Sequence, residues 1–266
     1  MKNTKKKSGF TLVELAIVLV IIGLIVGGVL AGQDLIKAAE QRAAIGQIEK
    51  MDTVANAFRG KYNGVPGDIL NATQFGFVAT SSATGITNGN GVVEATSAGY
   101  MNNEAALFFP DLAVAGLITD NLSNVDQTDT ISGSVDNAAG MSHYVPLSKF
   151  GKGIYFWVGS DGGTNYYMQD NASIGAATGA VTAGLSAMTP NMAYSLDSKL
   201  DDGSPTLGKV QAVDSLNVLA SASAASSATA GKCVNSTSPE AYQTNAKATG
   251  NPADTGACAI RIKASF

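Results

Sequence analysis

Charge is scarce in this sequence. Asp, Glu, Lys and Arg together make up only 14% of its 266 residues, against the usual quarter. Histidine occurs once, at His143, and cysteine twice, at Cys233 and Cys258. So few thiols and imidazoles exclude a zinc centre as the organising principle. No phosphate-binding loop and no nucleophile elbow occurs along the chain. The glycines of "VGSDGG" form a turn, since no Lys-Ser/Thr pair and helix follow them. His143 stands alone in "AGMSHYVPL", a packing or surface position without a partner in sequence. These absences leave no catalytic constellation, and the chain reads as a non-enzyme.

Basic residues are scarce outside one place. Lys2, Lys5, Lys6 and Lys7 cluster at the start, and the formal net charge is still −4. The body after them is therefore more acidic than that figure. An acidic body argues against nucleic acid as a partner.

The two cysteines lie close together near the C-terminus. In an exported chain they read as one disulfide, Cys233–Cys258, and imply an oxidising compartment. Such a bridge closes a loop of ~26 residues and contributes about 3 kcal/mol by the chain-entropy estimate. The alternative, two unpaired thiols in a reducing compartment, sits poorly with the apolar N-terminus.

What the chain has in abundance is an apolar run at the N-terminus. In "KKKSGFTLVELAIVLVIIGLIVGGVL" the stretch Phe10–Leu30 carries a single charge, Glu14. As a helix it would span about 31 Å, one hydrocarbon core. The preceding lysines orient it with the C-terminal body outward. A secretory signal peptide would be shorter and end at a small-residue cleavage site. A plain anchor explains the length but not Glu14, which costs free energy in lipid unless it has a partner.

The residues "GFTLVE" after a short basic leader resemble the recognition sequence of type IV pilins and type II secretion pseudopilins. The likeness is specific over Ser8–Leu30 and extends to about Asn63. In that family a membrane peptidase cuts after the glycine and methylates the new N-terminus. The resemblance implies cleavage between Gly9 and Phe10, N-methylation of Phe10, and an assembly role for Glu14. The cut creates an amine on Phe10, and a carboxylate on a neighbouring subunit can neutralise it. A prepilin peptidase, an assembly platform, a cytoplasmic ATPase, minor pilins and further copies of the chain are the implied partners. The inner membrane, then a periplasmic or extracellular filament, is the implied location.

The apolar run flows into an amphipathic pattern. Ile45, Ile48, Met51, Ala55 and Phe58 recur at steps of three or four. Gly60 and "NGVPGD" at Asn63–Asp68 supply stop signals. One helix from Phe10 to Lys61 is expected, roughly 78 Å long. Gly23, Gly27, Gly28 and Gly32 weaken it and permit close helix approach. Many filament pilins have a proline near the position of Ala31, and this chain has none there. A local weak point near Gly27–Gly32, or a continuous helix, follows.

The remainder reads as a loop-rich head. "NNEAALFFPDLAVAGLI" predicts one or two short helices, broken near Pro110 and ending around Gly116. Ile154–Val158 and Asn165–Gln169, around "GSDGG", predict a hairpin. "TPNMAYSLDSKLDDG" predicts a helix with Thr189 as N-cap, Pro190 at its first position and Gly203 beyond its end. Lys209–Val213 and Cys258–Ser265 read as further strands. "SASAASSATAGK" has too little apolar bulk for a core and reads as an exposed loop. Tyr155, Phe156, Trp157, Tyr166 and Tyr167 pack a sheet or form an adhesive patch.

The expected fold is α+β and pilin-like. A leader spans 1–9, a membrane or filament-core helix 10–32, and its amphipathic continuation 33–62. A head with an antiparallel sheet and a C-terminal disulfide loop spans 63–266. The expected function is a structural filament subunit. The alternatives are a secretion pseudopilin or minor pilin and, in a different class, a membrane-anchored binding or adhesion protein that never polymerises. Major pseudopilins carry a calcium-stabilised loop, so the resemblance also implies a calcium candidate. "SLDSKLDDGS" offers Asp197, Asp201 and Asp202 for it, and "TNGNGVVE" offers Asn88, Asn90 and Glu94. Neither matches the helix-loop-helix calcium pattern, and the aspartates otherwise form a solvated helix end. No other cofactor is expected.

Overall fold

The computed structural model describes residues 11–77, 87–94, 104–120, 122, 145–150, 153–170, 173–174, 181–182, 188–213, 233–234, 242 and 258–266. The chain divides into two compact units, Met1–Arg42 and Ala43–Phe266. Helix α1, Leu12–Tyr62, supplies residues to both.

In the first unit the apolar residues from Leu12 to Leu30 are all exposed. This part of α1 is long and apolar enough to cross a membrane, with a mean hydropathy of 2.9 over its most apolar window. Helical structure runs unbroken through Gly27–Gly32. This is the continuous form of the two expected, since glycine lowers helix propensity without removing a backbone donor, as proline would.

The second unit is an α+β head. The later part of α1 lays Ala44, Ile48, Met51, Ala55 and Phe58 into its core. Ile45 is half-buried beside them. Burying an apolar side chain of the size of Ile48 or Phe58 contributes roughly 1.5–3 kcal/mol. The helix stops at Asn63, whose φ of 55° is left-handed and whose N–H returns to Arg59 O at 2.9 Å. Around that end Phe58, Tyr62 and Phe77 form an aromatic cluster, with centroids 4.6–5.3 Å apart.

Helix α2, Glu104–Val114, carries Pro110 inside it. The expected break does not occur. Every residue from Glu104 to Leu112 is buried, and packing of that apolar segment outweighs the lost backbone bond. The helix closes with Gly116 N–H to Ala113 O and Leu117 N–H to Leu112 O, a paired C-terminal cap.

The hairpin forms as the sequence predicts, though longer. β1, Tyr155–Asp161, pairs antiparallel with β2, Thr164–Asp170. Gly162 and Gly163 both have positive φ, which a two-residue turn of the favoured hand requires. A minor pair, β3 at Ser173–Ile174 and β4 at Val181–Thr182, was not evident in the sequence pattern. Helix α3, Pro190–Leu200, has Thr189 as its N-cap, with Met192 N–H bonded to Thr189 Oγ1 at 3.2 Å. β5, Val210–Val213, and β6, Ala259–Lys263, complete an antiparallel sheet of order β1-β2-β6-β5. Central β6 is buried at four of its five positions, so it does not alternate between core and solvent. Helix α2 packs on β1 and α3 on β5.

The five candidate adhesive aromatics, Tyr155, Phe156, Trp157, Tyr166 and Tyr167, are all buried. They are core residues of the sheet. His143 and the "SASAASSATAGK" segment lie outside the described residues.

Candidate functional site

Gly9 and Phe10 lie outside the described residues; Glu14 lies within them, in the first turn of α1. Its carboxylate has a specific local arrangement. Glu14 Oε2 accepts from Thr11 N–H at 2.8 Å and from Thr11 Oγ1–H at 2.9 Å. Glu14 N–H in turn lies 3.3 Å from Thr11 Oγ1. "TLVE" is thus a reciprocal capping box, in which two backbone donors of the helix start find acceptors. The carboxylate also sits at the positive end of the helix dipole. The Thr-x-x-Glu spacing is the sequence signal for this role.

The structure joins Cys233 and Cys258, with a Cα–Cα distance of 4.9 Å. Cys258 N–H also donates to Met188 O at 2.9 Å, so the bridge is anchored just before α3. Cys233 and Cys258 are both buried.

Asp197, Asp201 and Asp202 do come together. One carboxylate oxygen from each lies within 4.8 Å of the others. Their oxygens already serve donors of the fold. Asp197 is buried and takes Tyr242 O–H at 2.8 Å and Gly203 N–H at 3.2 Å. Burial pushes its carboxyl up to about 6, against the pull of the Tyr242 and Gly203 bonds. Asp201 Oδ2 accepts from Lys209 and Val210 N–H, and Asp202 Oδ1 from Ser204 N–H. The three carboxylates clasp the 201–210 loop. Calcium asks for 6–8 oxygens, and three carboxylates faced by N–H groups fall short of that set among the described residues.

Several buried polar residues had no sequence signal. Gln47, on the core face of α1, donates to Leu147 O at 3.0 Å and accepts Lys149 N–H at 2.8 Å. Asp68 and Glu104 are fully buried carboxyl groups in the head. Arg261 is buried in the middle of the sheet.

Residues 4–30 match the prokaryotic N-terminal methylation motif. No curated protein and no solved structure matches the chain. The matched span covers Lys5–Lys7 of the basic leader, the Gly9–Phe10 junction, the Thr11–Glu14 box and the exposed apolar part of α1. The chain therefore carries a prepilin-type cleavage and methylation signal, typical of type IV pilins and type II secretion pseudopilins.

Proposed function

We propose that the chain is a structural subunit of a type IV pilus-like filament. A prepilin peptidase cuts it between Gly9 and Phe10 and methylates Phe10. The α1 helices then pack in the filament core, driven by an assembly platform and a cytoplasmic ATPase, and the heads form the outer surface. One observation carries this reading: the methylation motif coincides with an apolar helix that is wholly exposed in the single chain. Such a helix needs lipid or other copies of itself to cover it.

Glu14 gives the filament its register in this reading. Its carboxylate caps its own helix and offers negative charge to the Phe10 amine of a neighbour. Mass spectrometry of the purified chain tests the processing step. A methylated Phe10 at the N-terminus is expected, and an intact Met1 overturns the proposal in favour of an anchored protein that never polymerises. Electron microscopy of sheared surface material tests assembly, with filaments containing this chain as the expected result.

A second reading, a secretion pseudopilin or a minor subunit, draws support from α1 itself. The helix has no proline near Ala31 and no break between Gly27 and Gly32. Filaments in which this chain is a trace component, beside another major subunit, would favour that reading.

A further inference from the structure

Glu104 opens helix α2 and has no solvent exposure. Glu104 Oε2 accepts Glu94 N–H at 2.7 Å. Glu104 Oε1 is buried and has no donor. A buried carboxylate oxygen without a donor costs several kcal/mol, unless the group takes up a proton or finds a cation.

The neighbour of Glu104 is another carboxyl group. Asp68, in the turn after α1, is also fully buried and stands within side-chain hydrogen-bond reach of Glu104. Asp68 is well supplied with donors. Asp68 Oδ1 takes Gly89 N–H at 2.6 Å, and Oδ2 takes Gly91 N–H at 2.7 Å. Both Asp68 oxygens already accept an N–H, so Asp68 is the acceptor of the pair. A cation would have to share these oxygens with N–H dipoles pointing at it, which is unfavourable. A proton on Glu104 removes both difficulties at once, because Glu104 then donates to Asp68.

We infer that Asp68 and Glu104 form a proton-binding site, one proton shared across a buried carboxyl–carboxylate pair that holds the 87–94 loop against the head. The loop, "TNGNGVVE", buries one apolar side chain in the core, Val93, and is otherwise mostly polar. It is held by Asp68 at Gly89 and Gly91, by Glu104 at Glu94, and by Asn165 at the start of β2. Asn165 Oδ1 accepts Val93 N–H at 2.8 Å, and Asn165 Nδ2–H donates to Gly91 O at 2.9 Å. If the proton leaves, two adjacent buried carboxylates repel each other and two of these three polar anchors weaken.

Among the described residues, the groups whose charges act on Glu104 are acidic. Asp68 faces it from the turn after α1, Glu94 from the loop, and Asp111 sits two turns along α2, bonded to Gly67 N–H at 2.8 Å. Burial first, then the Asp68 charge and hydrogen bond and the Glu94 charge, push the Glu104 carboxyl from its ordinary 4.5 up to about 9, against the pull of Glu94 N–H. The folded chain thus holds this proton more tightly than the unfolded chain does. Stability from the site is complete below about pH 4.5 and is lost as pH rises towards about 9. Asp111 loses its own contribution earlier, as pH rises through about 7, so the upper end of the alkaline window reports on Glu104.

Thermal unfolding of the full chain in detergent, between about pH 7.5 and 9, tests the site. The wild-type midpoint should fall by ~3 °C per pH unit. Glu104→Gln keeps an acceptor for Glu94 N–H and gains an amide donor for Asp68, so it should fold and show no such fall. A flat wild-type profile overturns the inference, as does an equal fall in Glu104→Gln. Recovery of the wild-type midpoint at about pH 9 by calcium overturns it too, in favour of a cation site. Infrared spectroscopy gives a second readout, independent of folding yield. A protonated-carboxyl C=O band should be present in the wild type at about pH 8.5, where Asp111 is ionised, and missing in Glu104→Gln; its absence from the wild type refutes the shared proton.

Discussion

Arg261 Nη1 donates to Asp161 Oδ2 at 2.8 Å, although β2 separates their two strands. Arg261 Nε also donates to Gln211 on β5 at 2.8 Å. Its guanidinium lies 4.5 Å from the ring centre of Tyr166 on β2. One buried side chain therefore ties together all four strands of the sheet. The planar guanidinium makes this possible, with several donors in a fixed fork and a face that stacks on an aromatic ring. Arg261→Ala should strand the Asp161 carboxylate and empty the space over Tyr166. The expected loss is about 3 kcal/mol, read as a lower denaturant midpoint of the full chain. Arg261→Lys should recover only part of it, since lysine cannot make both bonds and the stack.

Glu14 has two separable roles, a helix cap and a charge. Glutamine keeps the capping geometry but not the charge. Glu14→Gln subunits should be cleaved normally and show at least a tenfold loss of the chain in sheared filaments. Immunoblots of membrane and sheared fractions measure both steps. Wild-type filament yield from Glu14→Gln would reduce the residue to its capping role.

Asp111 gives a pH dependence of defined sign. Burial pushes its carboxyl up to about 7, against the opposing pull of Gly67 N–H. A carboxyl raised in the folded state contributes stability below its unfolded value, near 3.8, and loses it as pH rises to about 7. Asp111→Asn keeps an oxygen for Gly67 N–H and cannot ionise. Its melting temperature, relative to wild type, should rise steadily from about pH 4 to pH 7 and then level off. Parallel melting curves across that range check it.

The disulfide closes Cys233 onto Cys258 across a sequence separation of 25. Replacing both cysteines by serine should cost about 3 kcal/mol. Part of that cost should appear near Tyr242, whose hydroxyl bonds Asp197 within the same C-terminal region. Denaturant titration with and without reductant measures it, and reductant should leave the double-serine variant unchanged.

What the sequence determined by itself was local or periodic. An apolar run of membrane length, a core stripe every three or four residues, a hairpin turn and the Thr189 cap each depend on neighbours within a few positions. They are legible because helix and strand geometry repeat along the chain. The tertiary structure alone decided the rest. The strand order brings Asp161 beside Arg261 across 100 residues, and no local pattern records which strands meet. The same holds for Gln47, bonded to the backbone around Leu147 and Lys149. Pro110 looked like a helix break because proline removes a backbone bond, and burial of the whole turn around it outweighed that loss. Asp68 and Glu104 carried no signal in the sequence pattern. Only the folding of the 87–94 loop over them makes a carboxyl pair that must keep a proton, because desolvation is a property of the surroundings and not of the residue.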